Sequence, residues 1–319
     1  MKKMIAYLLA LLGLFFSDIA FAQQEVDQQI DAATDSIVDI EHLHGEADII
    51  GWEKDVVQVS GKLGENTEEF IFERNGKTIK IEVKVQSTSW SDWNSSSDGD
   101  DLVIKVPTGS RVKYSSTNAD VTLDDILGGV DVEVINGEIE AAKIKGKIKL
   151  ESVNGDITAE AVDGELNVQA VNGDIDLNHD LGDEIRVTAV NGDIRFSSAA
   201  ADAKVETVNG DIKITLSNID DVSLDTVNGS IDADMDLQEG ALVRASSVGG
   251  RIDLNFDEGV EARFDIEAHA GGKIRNELTS DEEQKAKYGP RRWLEFNKGN
   301  PTSTIKANTV SGRITIGKK

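Results

Sequence analysis

Apolar and polar residues alternate through most of this chain. "SIVDIEHLHGEADIIGW", "VVQVSGKL", "EFIFERNGKTIKIEVKV" and "DLVIKVPTGSRVKY" alternate apolar and polar residues between turn signals. A period of two puts successive side chains on opposite faces, so these segments read as half-buried β-strands. In the middle of the chain the alternation settles into a unit, roughly [L/V]-x-[V/L]-x-[A/S/T]-V-N-G-D-I. Its asparagines are Asn136, Asn154, Asn172, Asn191, Asn209 and Asn228, spaced 18 or 19 residues apart. A finer period appears in the glycines Gly137, Gly146, Gly155, Gly164, Gly173 and Gly182, with Gly192 following. Each unit is therefore strand, turn, strand, turn. A fixed period of this length marks a stacked-repeat architecture.

Asn-Gly between alternating strands is also a strong hairpin signal. A meander of hairpins would leave Ile135, Val153, Val171, Val190, Val208 and Val227 in an exposed row. A solenoid explains more. If each coil turns a corner at Asn-Gly, the Val and Ile beside it can both point inward. Equivalent residues then stack about 4.8 Å apart. The asparagines form an amide ladder, and glycine supplies a positive φ. The pattern predicts an all-β β-solenoid (β-helix) with 18–19-residue coils, elongated, its two end coils needing caps.

Organisation follows composition. Residues 23–129 read as an N-terminal β-strand region that continues into the solenoid, with a Ser/Asp-rich loop at 87–101. Residues 130–256 are the regular array, and 257–319 hold degraded coils with an insertion at 280–298. Within the insertion, Ser280–Lys287 reads as a short capped helix.

Residues 1–22 read as a signal peptide. Lys2 and Lys3 precede an apolar run from Met4 to Phe16, and Ala20-Phe21-Ala22 offers a cleavage site. That run is too short to span a bilayer. The expected product is a soluble exported protein with no membrane span. Periplasm is the default, with the cell surface or the medium as alternatives. Export permits disulfides, yet the chain has no cysteine, so packing and backbone hydrogen bonds must supply its stability. The net charge of −26 disfavours nucleic acid and anionic lipid surfaces as partners. It favours divalent cations or basic partners.

The export signal, "GEADIIGWEKDVVQVSG", "VPTGSRVKYSSTNADVTL" and the chain of "VNGDI" units together resemble the bacterial putative adhesin family, an exported β-strand-repeat domain of unknown function. The resemblance covers most of residues 37–317. It implies a right-handed β-solenoid and an envelope or secreted location, and it carries no catalytic residues to transfer.

Candidate chemistry is sparse. Asp156, Asp174, Asp193 and Asp211 follow the Asn-Gly corners and would stack into an acidic ladder. Such a ladder suits turn structure, or weak calcium binding as the one cofactor worth testing. Paired carboxylates also suit glycoside hydrolysis, but the repeat singles out no pair. His42 and His44 share a strand face without a third ligand in view, and read as surface histidines. Trp90 and Trp93, set among serines and aspartates, suit a glycan or protein surface. Arg291, Arg292 and Trp293 form the densest basic spot, for an acidic partner or for internal pairing. The expected function is a non-enzymatic exported cell-envelope protein, adhesin-like or scaffolding, whose partner is an unidentified envelope protein or glycan. The alternatives are a calcium-responsive periplasmic binding module and a polysaccharide-active β-helix enzyme.

Overall fold

A computed structural model describes residues 24–85 and 99–319. The leader region and Trp90 and Trp93 lie outside the described residues. Every regular element described is a β-strand, from Gln24–Asp31 to Arg313–Lys318. The helix expected over Ser280–Lys287 does not form. Gln284–Lys285 is instead a two-residue strand, antiparallel to Arg292–Lys298. Eight residues barely complete a helix nucleus. Here Glu283 holds the segment in place by accepting the Ile274 N–H at 3.0 Å and pairing with Arg292.

The array coils as its period implies. Ile148 pairs in parallel with Val130 of the preceding unit and with Leu166 of the next. The same rung continues through Ile185, Ala203, Val222 and Val243. After the corner, a second wall stacks Ile139, Ile157, Ile175, Ile194, Ile212, Ile231 and Ile252. These side chains are buried between the two walls. Burying one isoleucine contributes about 1.5–3 kcal/mol, so each coil pays its ordering cost only by stacking on its neighbours.

The corner differs from the expectation in two respects. First, the valine before Asn-Gly points outward. Ala170 is buried, whereas Val171 is 40% exposed, and the row ranges from 37% at Val190 to 48% at Ile135. The pleat keeps alternating up to the valine, so the turn is made after the valine and cannot bring it inside. Second, close approach decides the glycine more often than φ does. Gly137 and Gly155 have φ of 147° and 153°. At Gly192, by contrast, the constraint is space, because a Cβ would lie 2.0 Å from the Gly173 carbonyl oxygen.

Both ends depart from the simple stack. The strand Ile37–Trp52 has Arg111–Asp124 on one side, and Thr78–Val85 and Asp100–Pro107 on the other. Antiparallel strands finish this end, Thr67–Asn75 on one wall and Val56–Leu63 followed by Gln24–Asp31 on the other. Of the loop expected at 87–101, residues 87–98 lie outside the described residues, and Asp100 and Asp101 belong to a strand. At the other end the last strands in sequence are not last in space. Ser303–Thr309 lies between Ile231–Gly249 and Ala262–Ala268. Arg313–Lys318 lies between Arg251–Phe256 and Lys273–Asn276. Arg292–Lys298 then covers Ala262–Ala268 antiparallel, with Phe296 stacked on Phe264 at 4.5 Å. The outermost strands are charged or short, which discourages edge-to-edge pairing: Gln24–Asp31 carries Glu25, Asp27 and Asp31, and Lys273–Asn276 has four residues.

Candidate functional site

The outward valines make the floor of a groove. Leu43, Thr117, Ile135, Val153, Val171 and Val190 occupy one rung position on successive coils and line a cavity of about 750 Å³. Two residues earlier on each strand stand Glu41, Ser115, Glu133, Glu151 and Gln169, which form its rim. Lys149 runs between rim carboxylates, at 2.7 Å from Glu133 and 3.0 Å from Glu151. These partners hold its ammonium well above the usual lysine range. Thr78–Val85 closes one end. Val83 is paired with His42, and Lys84 and Val85 run on beyond that pairing. The result is an apolar floor beside a mostly acidic rim.

A buried polar network lies under that end. His42 is buried, not a surface residue, because its rung position faces inward. Its Nδ1 lies 3.0 Å from the Tyr114 hydroxyl, with donor and acceptor set by the tautomer. Its Nε2 is 3.2 Å from Asp100 Oδ2 but out of line for a hydrogen bond. Asp100 Oδ1 accepts the Gly64 N–H at 2.6 Å and the Thr67 hydroxyl at 3.1 Å. Burial pushes the Tyr114 phenol above its ordinary range. Ser116, which also lines the groove, has a buried hydroxyl without a hydrogen-bond partner among the described residues.

The corner residues form two ladders. Asn136 donates to Asn118 at 2.7 Å, and Asn154, Asn172, Asn191, Asn209 and Asn228 each donate to the asparagine of the coil before. His44 terminates this series, 3.0 Å from Asn118. The aspartates do something that spacing alone does not reveal. Asp156, Asp174 and Asp193 each accept the backbone N–H of the next coil's aspartate, and Asp211 accepts that of Ser230. Among the described residues no such bond joins Glu138 to the Asp156 N–H. Among the described residues, no group of three or more His, Cys, Asp or Glu side chains could hold a metal ion.

The remaining sequence candidates lie elsewhere. Arg291 pairs with Glu267 and sits over the Trp293 ring at 5.4 Å. Arg292 pairs with Glu283. These residues fasten the covering strand Arg292–Lys298, far in the stack from the groove. His179 is buried, within 2.8 Å of the Ser198 hydroxyl and 2.9 Å of the Gly164 carbonyl. The sequence reading places the valine before Asn-Gly in the core, whereas the structure puts it on the groove floor.

Parallel coils, two corner ladders and an open groove define an all-β stacked-repeat protein. The chain belongs to the Toastrack DUF4097 family, whose profile matches residues 39–317. Among curated proteins none matches it. Three solved structures are similar at low identity. A "putative cell adhesion protein" from Clostridium sporogenes is 10% identical, covering 93% of this chain and 100% of that one, with a TM-score of 0.23. A "putative adhesin" from Bacteroides fragilis is 12% identical over 92% and 98%, with a TM-score of 0.40. A "putative lipid binding protein" from Parabacteroides distasonis is 14% identical over 92% and 96%, with a TM-score of 0.37. No helix among the described residues is long and apolar enough to cross a membrane.

Proposed function

We propose that this is an exported, non-enzymatic envelope protein that attaches to its partner through the groove. The observation that carries the reading is the row Ile135, Val153, Val171 and Val190, held outside the core along one face. Contiguous exposed apolar surface rimmed by polar residues marks an interaction site. A flat β-surface with one apolar rung per coil suits an extended or repetitive partner more than a compact small molecule. Export rests on the leader-like residues 1–22, and the coils are right-handed on the general preference of parallel crossovers.

The test uses beads coated with the mature protein, scored for attachment to bacterial cell envelopes. The triple variant Val153→Ser, Val171→Ser, Val190→Ser should stay folded and lose attachment. Undiminished attachment by that variant would move the contact away from the groove. Cell fractionation with surface protease treatment decides between periplasm and exterior, and a protein sealed from added protease could not act as an adhesin.

A further inference from the structure

The position after the corner glycine changes sign along the stack. Asp156, Asp174, Asp193 and Asp211 hold it in the regular coils, then Ser230, then Arg251, Arg313 and Lys273. Sequence order hides this run. Because the last strand is inserted, Arg251 pairs with Arg313 and Arg313 pairs with Lys273. Three cations therefore stand on successive coils, one rise of about 4.8 Å apart. All three are exposed, and Lys273–Asn276 pairs with no strand beyond Arg313–Lys318 among the described residues.

Their charges are only partly answered. Arg251 pairs with Asp253 on its own strand, and Arg275 pairs with Glu277 at 2.7 Å. Asp253 has Asp232 beside it on the preceding coil and Thr315 on the next. Neither Arg313 nor Lys273 has a carboxylate within 4.0 Å among the described residues. The three cations, Ser311 and the corner glycines Gly250 and Gly312 line a concavity of about 490 Å³. The glycines leave its floor free of side chains.

We propose that this basic ladder binds a phosphate group, seated between Arg313 and Lys273 with Arg251 at its flank. Two cations one coil apart can each donate to a different oxygen of one tetrahedral anion. The guanidinium fork favours such a group, and its second negative charge answers the second cation. A carboxylate would neutralise only one. The ligand is compact, because Asp211 and the carboxylates behind it repel a long polyanion. The acidity that disfavours anionic surfaces for the chain as a whole is thus reversed locally. The site is independent of the groove.

Calorimetry of the mature protein with inorganic pyrophosphate at low ionic strength tests this, alongside co-sedimentation with phosphatidylglycerol or phosphatidylcholine vesicles. Wild type should bind pyrophosphate saturably. Arg313→Ala/Lys273→Ala should bind about tenfold more weakly or worse, while Arg186→Ala, an exposed arginine elsewhere, should bind as wild type does. Circular dichroism confirms that each variant is folded. Binding to phosphatidylglycerol but not phosphatidylcholine, lost in the double variant, assigns the phosphate to a lipid headgroup. Pyrophosphate binding without vesicle binding assigns it to a soluble phosphate. The proposal is overturned if wild type binds neither, or if the double variant binds as well as wild type.

Discussion

Asp174 Oδ1 accepts the backbone N–H of Asp193 at 2.8 Å. The carboxylate thereby joins two coils through one of its oxygens. Arg195 takes up the outer oxygens, reaching Asp193 at 2.6 Å and Asp174 at 3.5 Å. The repeated aspartate is a fastening between backbones, and its recurrence has a structural cause.

Asp174→Ala should therefore lower stability by about 1 kcal/mol, the net worth of one such bond. Asp174→Asn keeps an acceptor oxygen in place and should recover most of that. Urea unfolding of both variants measures the difference. Equal losses would show that the charge, and not the acceptor, is what matters.

The asparagine ladder predicts a positional effect. Asn172 bonds to Asn154 and Asn191, each at 2.9 Å. Asn228 ends the series, since its rung neighbour on the next coil is Gly249. Asn172→Ala should cost about twice as much as Asn228→Ala, at roughly 0.5–1.5 kcal/mol per bond. The comparison is made by urea midpoints.

Gly192→Ala should be the most damaging single change considered. The added Cβ would stand 2.0 Å from the Gly173 carbonyl oxygen, and backbone cannot rotate away as a side chain can. The expected cost reaches or exceeds the ~3 kcal/mol typical of severe overpacking. Low soluble yield, or a melting temperature far below that of Asp174→Ala, would be the readout. Gly240→Ala is the control, with nothing within 4 Å of its Cβ, although its φ of 90° makes a modest strain cost of its own.

Tyr114 gives a pH prediction with a definite sign. Burial raises its phenol pKa above the ordinary value of 10.0. Below pH 10 both folded and unfolded chains keep the proton, so its contribution is constant. Above about pH 10 the unfolded chain releases the proton while the folded chain retains it, so stability falls as pH rises. Tyr114→Phe should lose the bond to His42 at neutral pH, yet show a shallower alkaline loss. Urea midpoints at pH 8 and pH 10.5 test the slope; parallel losses in both proteins would contradict it.

How much was legible varied by residue. Ile157 and Ile175 announced their stacking because coil-equivalent positions repeat in identity, and a parallel in-register wall requires that. Asn172 announced its ladder for the same reason. Val171 misled, since a β-branched residue beside a turn looks the same whether the pleat aims it in or out. His42 is legible in part: alternation from Val38 and Ile40 turns it inward, but its polar partners Tyr114 and Asp100 are remote in sequence. The outward valines, and so the groove, follow from strict alternation continued from Val168 and Ala170 to Val171.

The sequence by itself determined the all-β class and the coil length, because both follow from local alternation and from a period fixed along one chain. It also located the corners, where Asn and Gly are demanded by neighbours of the same kind. Tertiary structure alone decided what lies beside what between distant segments. Arg251, Arg313 and Lys273 become one basic run only because the last strand enters between two earlier ones. Spatial neighbours across that insertion are set by where the final coil finds two open edges, which no local pattern encodes.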